Sequence, residues 1–168
     1  DFAEWQTRYI ETGKIKMLVD DAMSTFTVVT PQNDDLWLGS EDGLFRYSKD
    51  RELEDINERL PFDAPIPINS VYFDSSDNMW IATDGHGLLY AEDADLSKIS
   101  SIRGLPSPRV FSICENNNQS IWVGTLQGLC HIKDSKVQQI FDCKQGLVAE
   151  DIWTVQCDRQ DGIWVSTS

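Results

Sequence analysis

The chain has 168 residues, with 28 Asp and Glu against 14 Lys and Arg, a formal net charge of −14 at pH 7, and 40% hydrophobic and 25% charged residues. That balance belongs to a folded protein long enough to bury its own core, and it excludes disordered, collagen-like and fibrous chains. Strong negative charge without a Lys/Arg cluster argues against nucleic acid as a partner, and no run of about 18 apolar residues offers a membrane helix, so membrane contact is expected only through segments outside these residues.

In chain order, the head reads as two strands, roughly Trp5–Ile10 and Lys14–Val19. Three longer units follow at 23–60, 68–103 and 110–142, and residues 152–168 supply two strands of a fourth. The third unit shows the pattern best: Val110–Cys114, Ile121–Thr125, Leu129–Ile132 and Val137–Phe141 read as four successive strands. Turn clusters separate the strands, as at Asp74-Ser75-Ser76-Asp77-Asn78, Glu115-Asn116-Asn117-Asn118 and Asp158-Arg159-Gln160-Asp161-Gly162. Only Glu52–Leu60, with Leu53, Ile56 and Leu60, has helical spacing, and it is expected as a short helix replacing or capping an outer strand.

A repeat organises these units. Trp37, Trp80, Trp122 and Trp164 are separated by 43, 42 and 42 residues, each inside a phrase such as Ile121-Trp122-Val123-Gly124-Thr125. Gly-Leu follows at Gly43-Leu44, Gly87-Leu88 and Gly128-Leu129, and an apolar residue precedes at Val28, Val71, Ile113 and Val155. Four strands in about 42 residues is the blade of a β-propeller. The expected fold is therefore all-β, a propeller segment of three whole blades and two half blades. The half blades at 1–20 and 152–168 are complementary, so they could pair to close a four-bladed ring, join with those of a second chain, or mark an excerpt of a longer propeller, the reading favoured here. The repeated Trp is expected to wedge between blades.

The phrases Leu105-Pro106-Ser107-Pro108-Arg109-Val110-Phe111-Ser112-Ile113 with Ile121-Trp122-Val123-Gly124-Thr125-Leu126-Gln127-Gly128-Leu129, and Asp158-Arg159-Gln160-Asp161-Gly162-Ile163-Trp164-Val165-Ser166-Thr167, resemble the repeats of the two-component regulator propeller family. Pro31 and Asn116 depart from the pattern where other copies carry an acid six residues before the Trp. The resemblance implies the periplasmic, extracytoplasmic sensor part of a bacterial membrane-bound signalling protein, whose output is a histidine kinase or sometimes a diguanylate cyclase. It implies a non-catalytic module that binds a ligand, a small molecule or oligosaccharide, or a neighbouring domain.

Sites with their own chemistry are sparse. His86 and His131 have no Cys or carboxylate at metal-ligand spacing, so neither a metal nor a cofactor is expected. Gly85-His86-Gly87 reads as a hairpin turn, and no nucleophile elbow occurs. The acidic turns read as solvated. Cys114, Cys130, Cys143 and Cys157 form no Cys-x-x-Cys pair and are expected as buried free thiols; in an oxidising compartment Cys130 and Cys143 are the pair expected to bridge strands of one blade. Recognition is expected where the repeats vary beside a constant core position. Alignment by 42 brings Pro67, Arg109 and Asp151 into register, and likewise Asn69, Phe111 and Trp153. Arg109, Asp151 and Trp153, with Asp84 and His86 on the loop after a Trp strand, are the candidate ligand-facing residues: Arg and Asp to hydrogen-bond a polar ligand and Trp153 to stack on it. A propeller lyase or hydrolase and a pure interaction platform are the competing readings.

Overall fold

The structure, a computed structural model, describes the backbone of residues 8–11 and 14–17 and the whole of residues 26–48 and 53–168. The expected head strands run past these limits at Trp5 and Val19, which lie outside the described residues, as does Glu52. Within them the chain forms sixteen antiparallel strands in sequence order. A hairpin of β1 (Arg8–Glu11) and β2 (Lys14–Met17) comes first. The first four-stranded sheet contains β3 (Val28–Gln32), β4 (Asp35–Ser40), β5 (Gly43–Tyr47) and β6 (Leu53–Asp55). The second contains β7 (Ile68–Phe73), β8 (Met79–Thr83), β9 (Leu88–Ala91) and β10 (Ser100–Ser101). The third contains β11 (Val110–Glu115), β12 (Ile121–Thr125), β13 (Gly128–Lys133) and β14 (Lys136–Phe141), and β15 (Ile152–Cys157) pairs β16 (Ile163–Thr167) as a second hairpin. Within each sheet every strand pairs with the next along the chain, the meander of a propeller blade. The segment expected to be helical is β6 followed by one 3-10 turn at Asn57–Arg59. The Phe45–Asp55 and Tyr47–Leu53 pairings hold it as an outer strand, while Ile56 and Leu60 turn inward as buried residues.

The sheets pack face to face, which explains why the strands read as nearly continuous apolar runs. In β8 the odd positions Met79 and Ile81 join the core shared with the first sheet, whereas Trp80 and Ala82 join the core shared with the third. Trp37 packs toward the second sheet, its ring centroid 5.9 Å from that of Phe73, and Trp122 packs against Ile152 and Val155 of the last hairpin. The repeated Trp is thus the wedge that the sequence implies, each one directed at the following blade. Burying one indole removes roughly 150–250 Å² from water, of order 4–6 kcal/mol as an upper figure. Trp164, the fourth copy, is 68% exposed because the described residues place no further blade on its face.

Two positions beside each Trp complete the wedge. Its cross-strand neighbour on the third strand varies: the Arg46 guanidinium lies 5.9 Å from the Trp37 centroid, Tyr90 lies 4.6 Å from Trp80, and His131 stacks on Trp122 at 4.7 Å. Two residues after the Trp, the side chain is small in every copy (Gly39, Ala82, Gly124, Ser166), because the first strand of the next blade presses there. A Cβ on Gly124 would lie 2.7 Å from the Ile152 carbonyl oxygen and 2.9 Å from the Val155 methyl.

The acidic turns do more than meet solvent. Asp74 accepts the Ser76 and Asn78 backbone N–H groups at 3.0 and 2.9 Å through one oxygen, and the Trp80 indole N–H at 2.8 Å through the other. Asp158 repeats this with Gln160 and Gly162, both at 2.8 Å, and with Trp164 at 2.7 Å. The Trp164 bond above all, then those of Gln160 and Gly162, holds the Asp158 carboxyl below the usual range. In the third copy Asn116 Oδ1 accepts Asn118 and Ser120 N–H at 3.2 and 3.0 Å, while the buried Trp122 indole N–H has no partner.

A disulfide corrects the expectation of free thiols and of a Cys130–Cys143 pairing. Cys114 on β11 is bonded to Cys157 on β15, with Cα atoms 5.8 Å apart, so the bridge joins two blades rather than two strands of one. Cys130 is buried in the core between the second and third sheets, where desolvation pushes its thiol up to about 12, and Cys143 is exposed in the connection after β14. Spacing missed this pair because Cys114 faces forward and Cys157, one step off the repeat register, faces back.

Candidate functional site

The five candidate residues lie at one end of the blades, where first strands begin and second strands end. The local cause is a repeated β-bulge. The pairing of β7 with β8 shifts between Ile68 and Ser70, that of β11 with β12 between Val110 and Ser112, and that of β15 with β16 between Ile152 and Thr154. The extra residues are Asn69, Phe111 and Trp153, the variable triplet of the sequence. A bulge releases one side chain from the in-out alternation and re-aims it, which is why residues of such different character occupy one position.

The candidates form two clusters. In the first, Arg109 donates Nε–H to Asp84 Oδ1 at 2.6 Å and Nη2–H to Asp84 Oδ2 at 3.3 Å, an ion pair between the second and third blades with side chains 52% and 32% exposed. The backbone places them: Asp84 and Arg109 form a bridge, and the Gly85 and Gly87 N–H groups donate to the Pro108 carbonyl at 3.2 and 2.7 Å. His86 stands on this loop with its ring 4.8 Å from that of Phe62, in the Pro-rich connection between the first and second blades. In the second cluster Trp153, 49% exposed, packs at 4.5 Å on Phe111 of the preceding blade and donates its indole N–H to Asp151 at 3.1 Å. The Ser168 hydroxyl donates to the same Asp151 oxygen. Chiefly that bond, with the Trp153 N–H also contributing, holds the Asp151 carboxyl below its ordinary range, so it is an anion and a ready acceptor at neutral pH.

Sequence reasoning singled out Arg109, Asp84, Asp151 and Trp153 but not that each pair is self-engaged, and it passed over Phe111, Phe62 and Ser168. Phe111 was within reach, since it shares a register with Trp153. Two cavities among the described residues lie away from these clusters. One of about 210 Å³ sits at the opposite end between the second and third blades, walled by Asp74, Glu115, Lys133 and Tyr90. Two of the charged groups that wall it are engaged: Glu115 accepts from Ser75 at 2.7 Å and Lys133 donates to the Asn118 carbonyl. A second, about 520 Å³, lies between the first two blades over Trp37, Arg46 and Arg59, where Glu54 already pairs with both guanidiniums. Among the described residues no group of three or more His, Cys, Asp or Glu side chains could hold a metal.

The two-component regulator propeller family matches residues 64–85 and 104–127, which cover the connection, first two strands and following turn of the second and third blades. In these segments the chain is similar to two-component regulator propeller repeats. Among solved structures the chain is similar to the extracellular domain of the putative hybrid two-component system BT3049 from B. thetaiotaomicron, with 21% identity and a TM-score of 0.71 over 94% of this chain and 22% of that one. It is also similar to that of BT4673 from the same organism, with 24% identity and a TM-score of 0.69 over 84% of this chain and 20% of that one. Virginiamycin B lyase from Staphylococcus aureus is similar at 12% identity and a TM-score of 0.64, over 83% of this chain and 47% of that one. At these identities the likeness establishes the propeller fold, and the chain spans about a fifth of the length of the two extracellular domains. No curated protein matches the chain significantly. No helix among the described residues is long and apolar enough to cross a membrane.

Proposed function

We propose that this regulator propeller segment is a non-catalytic, ligand-binding part of a bacterial sensor, exposed on the extracytoplasmic, periplasmic side of the inner membrane and coupled to a histidine kinase or diguanylate cyclase outside this chain. The repeat family and the extracellular domains of similar fold support the class. The observation that carries the site is the half-exposed Trp153 on Phe111, next to the ionised Asp151: an apolar face, a hydrogen-bond acceptor and two blades meet at one bulge. A small polar molecule or oligosaccharide with one flat face fits that chemistry, with the Arg109–Asp84 pair offering a second set of polar contacts along the rim. A ligand that binds across a seam favours one relation between blades over others, which is how occupancy becomes a population shift.

The test is a thermal-shift screen of small polar molecules and oligosaccharides on the chain and its Trp153→Ala and Arg109→Ala variants. A compound present at about 100 times its Kd stabilises by about 2.7 kcal/mol, a readable rise in midpoint. We expect at least one such compound, with the rise lost in Trp153→Ala. Absence of any rise, or a rise that survives both substitutions, overturns the assignment of the site. One observation favours a catalytic reading, the likeness in fold to a lyase. Product formation from a bound compound, abolished by His86→Ala, would establish it.

A further inference from the structure

The strands that carry the aromatic pair are the same two that carry the disulfide. Phe111 and Cys114 are three residues apart on β11, and Trp153 and Cys157 four apart on β15, so the bridge sits roughly 10 Å along the strands from the Phe111–Trp153 contact. Its slot exists in the neighbouring seam without a covalent bond. Cross-strand pairing with the Trp equates Cys114 with Tyr72, and the position after it equates Cys157 with Glu115. There Tyr72 faces Glu115, and the Tyr72 hydroxyl is raised by desolvation and then by that carboxylate. The second and third blades are also tied by the Asp84–Arg109 pair, by two bonds from Ser75 to Glu115 and by the bond from Asn69 Nδ2 to the Val110 carbonyl at 2.8 Å.

The seam after the third blade has other ties as well. Val155 N–H donates to Ser112 Oγ at 3.1 Å, and Asn117 donates to Asp161 and to the Arg159 carbonyl, both at 3.0 Å. The bridge is the covalent tie across this seam, and among the described residues the seam between the second and third blades has none.

We infer that the Cys114–Cys157 disulfide is a redox-sensitive clasp that holds β15 against β11 and so sets the Phe111–Trp153 platform, making the rim site competent only in the oxidised protein; the second half of this rests on the ligand reading above. The exchange balances with an external dithiol. One thiolate attacks Cys157 Sγ, the less buried sulfur, and Cys114 leaves as a thiolate and takes a proton; the second thiol of the reagent then closes its own disulfide and releases Cys157 as a thiol. No internal thiol competes, since burial keeps Cys130 protonated and Cys143 lies at the opposite end of the third blade.

The experiment is hydrogen exchange by mass spectrometry on the full chain, with and without dithiothreitol, and on Cys114→Ser/Cys157→Ser. We expect amides of 152–157 and 163–167 to exchange at least about tenfold faster after reduction, with 68–73 unchanged, and the double variant to exchange fast in both conditions. Equal rates in both redox states of the wild type overturn the clasp. Acceleration throughout the second and third blades also overturns it, by making the bridge a staple of the whole fold. No ligand enters this measurement, so its failure is separable from that of the ligand reading. Loss of ligand-induced stabilisation on reduction then tests the coupling alone.

Discussion

Asn116→Asp is expected to stabilise the protein, an unusual direction for a change beside a core. In the second blade and the last hairpin one carboxylate serves at least three donors, two turn amides through one oxygen and the Trp indole through the other. An amide has one oxygen. Whichever way Asn116 is turned, either the turn amides of Asn118 and Ser120 or the Trp122 indole must go without, and the indole is the one left unpaired and buried. A buried donor without a partner costs about 1–3 kcal/mol, and a bond to a carboxylate contributes about 1.5–3. Against this stand the desolvation of a new anion and its repulsion within a chain of net charge −14. A net gain of about 1–2 kcal/mol remains, which at about 2–4 °C per kcal/mol for a chain of this size is a rise in Tm of about 2–8 °C. Urea denaturation at pH 7 and near pH 3 checks the cause as well as the size. The gain should shrink as pH falls below the ordinary carboxylate range and the new carboxyl takes up its proton, and it should be absent in a Trp122→Phe background, which removes the donor. A gain that persists in Trp122→Phe, or a variant no more stable than wild type at pH 7, refutes the reasoning.

The other predictions use the same contacts. Gly124→Ala should destabilise by about 1–3 kcal/mol, because its methyl meets the Ile152 carbonyl at a seam that cannot open without parting the blades; equilibrium unfolding measures it. Arg109→Ala should cost under about 1 kcal/mol of stability, since its ion pair is largely in solvent, so any larger loss of ligand binding would report function and not folding. His131, half-buried against Trp122 and near Lys133, has its ionisation lowered by desolvation and then by that cation, so the folded protein favours the neutral ring. Its contribution is fully present above the ordinary histidine value of about 6.5 and fades as pH falls through the lowered folded value. Stability against urea should therefore drop between pH 7 and 5 in wild type and drop less in His131→Gln.

The fold was legible because propeller packing writes itself into local sequence. A blade with neighbours on both faces needs apolar residues on both sides of its middle strands, a large wedge such as Trp80 directed one way, and a small residue such as Gly124 where the next blade presses. These demands recur every 42 or so residues, and recurrence makes a weak local signal strong. The Glu52–Leu60 stretch misled because Ile56 and Leu60 are buried by the turn after an outer strand, a short-range apolar spacing that imitates a helical face. The role of the acidic turns was hidden for another reason. Asp74 and Asp158 look like ordinary turn formers, and only the indole N–H six residues later shows why Asn116 is a poor substitute.

The candidate rim was half legible, and the divide is physical. Register alone exposes positions free to vary, and it brought out Arg109, Asp151 and Trp153. What a side chain touches across a seam depends on the rotation from one blade to the next, which no spacing within a chain encodes. So the Arg109–Asp84 pair, the Phe111–Trp153 contact and the Cys114–Cys157 bridge, at separations of 25, 42 and 43 residues, were all beyond reach while the residues themselves were not. All three lie between blades, not within one. Contacts inside a blade are fixed by its own ladder, whereas contacts across a seam respond to small rotations, so the seams are where a propeller can convert an event at its rim into a change of shape.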